Sequence, residues 1–214
     1  MMNKLILISI LIGLSIIGAA SIVVFSEDSL ESQIQKTVYE NDFTFYDVEK
    51  IKKSLEGKNI FMSTPVAITD HTVSQYCTYF DSKNEQKTVE YCTTTALLNS
   101  DDQTIGNLNM GGTTDGPVMA LAIIDASPFL NSRYDEVNSV FEIMVETLVC
   151  DCWEQRQPGG FDTVKSWIDA ASEKYEKSSQ TTMKSEITGL DNKRLILEIT
   201  SSGESYLWTL LVLK

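Results

Sequence analysis

Four cysteines carry most of the chemistry open to this chain: Cys77, Cys92, Cys150 and Cys152. Two of them stand one residue apart in Cys150-Asp151-Cys152-Trp153, a spacing that suits a redox couple or a pair of thiolates for copper or zinc. The surroundings work against a free thiolate. The sequence pattern ends a helix here, where the dipole is negative, and Asp151 and Glu154 add like charge against Arg156 alone. Zinc motifs also usually space their paired cysteines more widely. Cys150 and Cys152 are therefore the candidate metal or redox residues, and no cofactor is expected on them.

Cys77 and Cys92 suit a structural bridge. A hairpin centred between Asn84 and Glu85 sets them opposite each other, with Cα atoms about 4.5 to 5.5 Å apart. That register faces Tyr76, Thr78 and Phe80 toward Thr93, Tyr91 and Val89. A bridge closing a loop of about 15 residues contributes around 3 kcal/mol through the unfolded state. The alternative pairing joins each of these cysteines to one of Cys150 and Cys152, stapling the hairpin to a helix.

Other chemistry is thin. The chain has one histidine, His71, whereas hydrolytic triads, zinc hydrolases and blue-copper sites need well-placed imidazoles. His71 reads as a turn residue, and no catalytic residue is assigned. The loop Gly111 to Gly116 lacks the lysine and following helix of a phosphate-binding loop, so it reads as a hairpin turn. Asp101, Asp102 and Asp115 offer oxygen ligands but not the EF-hand spacing.

The elements that must position these residues follow from hydrophobic period and turn signals. Asp47 to Leu55 reads as a short amphipathic helix with Val48, Ile51 and Leu55 inward, closed by a left-handed Gly57. From Asn59 to Asp125 the period falls to 2, predicting a meander: Ile60 to Ile68 broken by Pro65, Val73 to Phe80, Thr88 to Leu97, Thr104 to Met110, and Pro117 to Ile124. The last is apolar on both faces and must be central. Ser132 with Asp135 resembles a capping box opening a helix whose buried face is Val137, Val140, Phe141, Met144 and Leu148. After Gln157 to Gly160 breaks the chain, Asp162 opens a second helix with Val164, Trp167, Ile168, Ala171 and Tyr175 on one stripe. Strands return at Met183 to Leu190, Arg194 to Thr200 and Tyr206 to Leu213, the last again apolar on both faces. This order predicts an α+β fold: a largely antiparallel meander sheet with two amphipathic helices on one face.

Ahead of that domain stands Leu5 to Phe25, an uncharged apolar run. Roughly 21 helical residues span about 31 Å, enough for a hydrocarbon core of about 30 Å. The expected organisation is a transmembrane signal anchor at 1–25, a polar stalk at 26–46 and one extracytoplasmic domain at 47–214. Lys4 before the run and Glu27-Asp28 after it orient the domain outward, giving a single-pass protein of the cell membrane. The alternative is secretion after cleavage near Ala20. A net charge of −13 leaves no basic surface for nucleic acid. These features favour a non-enzymatic, membrane-anchored domain that binds an envelope protein or a small apolar ligand. The alternative is an extracytoplasmic thiol-redox or metal-binding protein using Cys150 and Cys152.

Overall fold

Eight antiparallel strands make one sheet in a computed structural model that describes residues 42–68, 73, 77 and 89–214. In chain order the elements are α1 (Asp47–Glu56), β1 (Phe61–Met62), β2 (Val66–Ile68), β3 (Tyr91–Leu98), β4 (Thr104–Thr113) and β5 (Gly116–Asp125). Then come α2 (Tyr134–Leu148), α3 (Trp153–Arg156), a 3-10 turn (Pro158–Gly160), α4 (Val164–Glu176), β6 (Thr182–Leu190), β7 (Lys193–Ser202) and β8 (Ser205–Leu213). The sheet runs β1-β3-β4-β5-β8-β7-β6, with β2 also paired to β3. The fold is thus α+β, with four α-helices among the described residues.

The two strands without a polar face lie where that composition demands. β5 and β8 pair from Met119 against Leu213 to Asp125 against Leu207, with β4 and β7 outside them. Alternation divides their side chains. Ala120, Ala122 and Ile124 of β5 and Trp208, Leu210 and Val212 of β8 join the main core with Ile51 and Leu55 of α1, Val140, Phe141 and Met144 of α2, and Trp167 and Ile168 of α4. Each large apolar side chain fully buried there contributes about 1.5 to 3 kcal/mol. The intervening residues Met119, Leu121, Leu211 and Leu213 point to the opposite face, where Val73, Cys77, Val89 and Cys92 complete a smaller cluster.

Two glycines in β4 let the meander close. A Cβ on Gly106 would stand 2.0 Å from the Ile123 carbonyl oxygen, and one on Gly112 would stand 2.2 Å from that of Gly116. Gly112 also sits at a register shift between β4 and β5, which carries the chain into the two-residue turn at Thr114 and Asp115.

Several expectations are corrected. Val73 to Phe80 is not a strand at the two residues described: Val73 is helical, and the Cys77 N–H donates to the Val73 carbonyl at 2.9 Å, a helical i to i−4 bond. Cys92 already has Ile68 on one side and Gly111 on the other, so no third strand can lie opposite it. The strand across from Cys92 is β2. The run Ile60 to Ile68 splits around Ser63 to Pro65 into β1 and β2, because proline cannot donate to the ladder. Gly57 is right-handed, and Asn59 takes the positive φ of 59°. Ser132 caps no helix; its hydroxyl accepts from the Phe129 N–H and closes a turn. Phe43, within the expected stalk, is buried in the main core.

Among the described residues no helix is long and apolar enough to cross a membrane. The span expected at Leu5 to Phe25 lies outside the described residues, as do Ser26 to Asn41, His71 and the turn Ser82 to Gln86.

Candidate functional site

The four cysteines form two pairs at bonding distance, on opposite faces of the sheet. Cys77 is joined to Cys92, with Cα atoms 6.4 Å apart and both side chains fully buried in the smaller cluster. Cys150 is joined to Cys152, with Cα atoms 5.1 Å apart, at the edge of the main core. Neither Cys77 nor Cys92 is linked to Cys150 or Cys152. In this state no thiolate of Cys150 or Cys152 is free to bind a metal.

The second pair is placed by how α2 ends. Its last turn contains no basic residue, and the Val145 carbonyl accepts from both Val149 N–H at 2.9 Å and Cys150 N–H at 3.1 Å. The chain then turns through Asp151 into α3, where the Cys152 carbonyl accepts from the Gln155 and Arg156 N–H groups. Gln157 in the left-handed region, with φ of 44°, stops α3 after one turn.

Trp153 ties this turn to the fold. Its indole N–H donates to the Phe161 carbonyl at 3.0 Å, and its ring lies 5.8 Å from that of Trp167 at an interplanar angle of 30°. Trp167 in turn donates to the Ser185 hydroxyl of β6 at 2.8 Å. Thr163 and Ser166 form a reciprocal capping box that fixes the start of α4.

Between the end of α2, α3 and the start of α4 lies a pocket of about 280 Å³. Val145, Trp153 and Val164 supply its apolar surface, and Cys150 opens onto it. The remaining lining is polar and mostly acidic: Glu142, Glu146, Asp151 and Glu154 join Gln155 and Thr163, and no lysine or arginine lines the pocket. Burial, reinforced by the charges of Glu142 and Asp151 and opposed by Lys58, holds the Glu146 carboxyl above the usual carboxylate range. A proton there is easier to keep than on an ordinary glutamate.

Elsewhere the polar clusters are structural. Tyr134 donates to Asp169, which Lys165 also pairs at 2.9 Å, cross-tying α2 to α4 on the surface; burial and the Asp169 carboxylate push the Tyr134 phenol up. The Asn99 side-chain oxygen accepts the N–H groups of Asp101 and Gln103, so the acidic turn is held by its own amide. Among the described residues no three histidine, cysteine or acidic side chains converge closely enough to hold a metal ion.

The sequence pointed to Cys150 and Cys152 but not to the pocket. Its one linear trace is the four-residue step Glu142, Glu146, Cys150, which puts two carboxylates on one face of α2 with a sulfur just past its end. The far wall, at Thr163 and Val164, arrives only through tertiary packing. No protein-family model, no curated protein and no solved structure matches this chain.

Proposed function

We propose that this chain is an extracytoplasmic thiol–disulfide exchange protein, held at the membrane by Leu5 to Phe25. Its clients are envelope proteins whose reactive cysteine is flanked by basic residues. The observation that carries this reading is the Cys150–Cys152 bridge at the rim of an acidic pocket. A bridge across a single residue removes little freedom from the unfolded chain, so stability alone is a poor reason for it. The pocket suits an apolar ligand poorly, because four carboxylates are among the residues that line it.

In the exchange, a client thiolate attacks the Cys150 sulfur, the bond to Cys152 breaks, and Cys152 leaves as a thiolate that is protonated from solvent. A second client thiol then attacks the mixed disulfide and expels Cys150. The client loses two electrons and gains a disulfide; the pair gains them and becomes a dithiol. Four carboxylates in the lining, with no lysine or arginine among the lining residues, attract a cationic client and repel an anionic one.

The test uses the full-length chain in detergent and two dithiol peptides that differ only in lysine or glutamate beside their cysteines. The basic peptide should reduce the Cys150–Cys152 bridge about tenfold faster at low salt, with the gap closing as salt is raised. A bridge that resists both peptides while the protein stays folded overturns the proposal. Protease added outside intact cells should remove the domain but spare the anchor; a mature chain beginning at Ser21 would make the protein secreted instead.

A further inference from the structure

An acidic pocket poses a chemical difficulty for a reactive sulfur. Thiolates form readily beside cations, and here Cys150 shares its pocket lining with four carboxylates and no lysine or arginine. A free Cys150 thiolate would be unstable, so its proton has to move as the S–S bond makes or breaks. Glu146 lies in the last turn of α2, Cys150 follows just beyond the end of that helix, and both line the same pocket.

We infer that Glu146 is the proton-transfer residue of this exchange, taking the proton from the Cys150 thiol as it attacks a disulfide and returning it as Cys150 leaves. The inference rests on the exchange reading above. In the attacking direction the Cys150 S–H bond breaks toward the Glu146 carboxylate while the sulfur bonds to the client. The client's first sulfur departs with the bond pair and takes a proton from solvent. Cys152 then gives its thiol proton to solvent and attacks the Cys150 sulfur, forming the Cys150–Cys152 bond and expelling the client's second sulfur as a thiolate that solvent protonates. Two electrons pass from the pair to the client. In the reverse direction the protonated carboxyl supplies the proton to Cys150. Its retention of a proton above the usual carboxylate range fits that second role. The groups facing Glu146 are Glu142 on α2, Asp151 in the following turn and Glu154 on α3 across the pocket, with Lys58 after α1 opposing them.

The test follows oxidation of the reduced full-length chain by oxidised glutathione across pH, with mass spectrometry of the peptide carrying Cys150 and Cys152. Glutathione is anionic, so Glu154→Gln should speed the reaction by relieving repulsion. Glu146→Gln should slow it about tenfold or more and abolish an inflection above the ordinary carboxylate range. Glu142→Gln should move that inflection to lower pH, which a merely structural role would not do. If Glu146→Gln instead speeds oxidation as Glu154→Gln does, Glu146 is only a charge and the inference fails. A wild-type chain that does not exchange at all overturns the functional reading itself.

Discussion

The Lys214 ammonium sits 4.6 Å from the centroid of the Phe43 ring, and the Lys193 ammonium sits over the same ring at 6.0 Å. Phe43 is buried in the main core, so the approach to α1 is fastened to the start of β7 and the end of β8. Phe43→Ala should lower stability by about 3 to 5 kcal/mol, as for other buried aromatics. Lys214→Ala should cost about 0.5 to 1 kcal/mol, the scale of one exposed cation–π contact. Denaturant titration of both variants checks the ratio; equal losses would mean that the ring's packing is not what matters.

The glycines of β4 give a sharper geometric test. Gly106→Ala and Gly112→Ala each drive a methyl group into a backbone carbonyl of β5 or its turn, and each should cost about 1 to 3 kcal/mol or more. Gly116→Ala meets nothing within 4 Å and should be close to neutral. Thermal unfolding of the three variants side by side would decide it.

The two bridges should differ in their effect on stability. Cys77→Ala opens a loop with a sequence separation of 15 and should lower stability by about 3 kcal/mol. Cys150→Ser opens a loop with a separation of 2 and should cost about 1 kcal/mol or less. Non-reducing peptide mapping should show the two pairs separately. A linkage from Cys77 to Cys150 or Cys152 would contradict this arrangement.

Much of the architecture follows from single residues. Val137, Val140, Phe141, Met144 and Leu148 announce a helix at steps of three and four, and all are buried. β5 and β8 are legible as central because neither has a polar face. Val73 and Cys77 misled because two apolar residues four apart satisfy both periods, 2 and 3.6, in so short a stretch. Ile68 was equally available to lie beside Cys92, and nothing local ranks one neighbour above another. The pocket was hidden for a related reason: Cys150 and Thr163 line one cavity across a turn whose geometry depends on Gln157 and Trp153.

Asp47 makes part of the stability pH-dependent. Burial works against its charge, yet the Lys50 ion pair at 2.6 Å and hydrogen bonds from the Thr44 N–H and hydroxyl hold its carboxyl below the usual range. A depressed folded pKa stabilises the native state above the unfolded value of about 3.9 and loses that contribution as pH falls through the folded value. Asp47→Asn should therefore cost about 1 to 2 kcal/mol at neutral pH, and the difference from wild type should shrink below about pH 4. A difference that persists unchanged at low pH would assign the effect to packing.

The two margins of the sheet end differently. On one side, β1 and β2 are two and three residues long. On the other, β6 has a register shift between Thr188 and Leu190 and ties Lys184 to Glu198 and Glu186 to Arg194 on its outer face. Short strands offer few free backbone groups, while charges and a kink spoil the flat ladder that a neighbouring molecule would extend. Among the described residues, therefore, neither border offers a long flat ladder on which a second copy could zip into a shared ribbon, and concentrated domain is expected to stay free of fibrils growing from its edges.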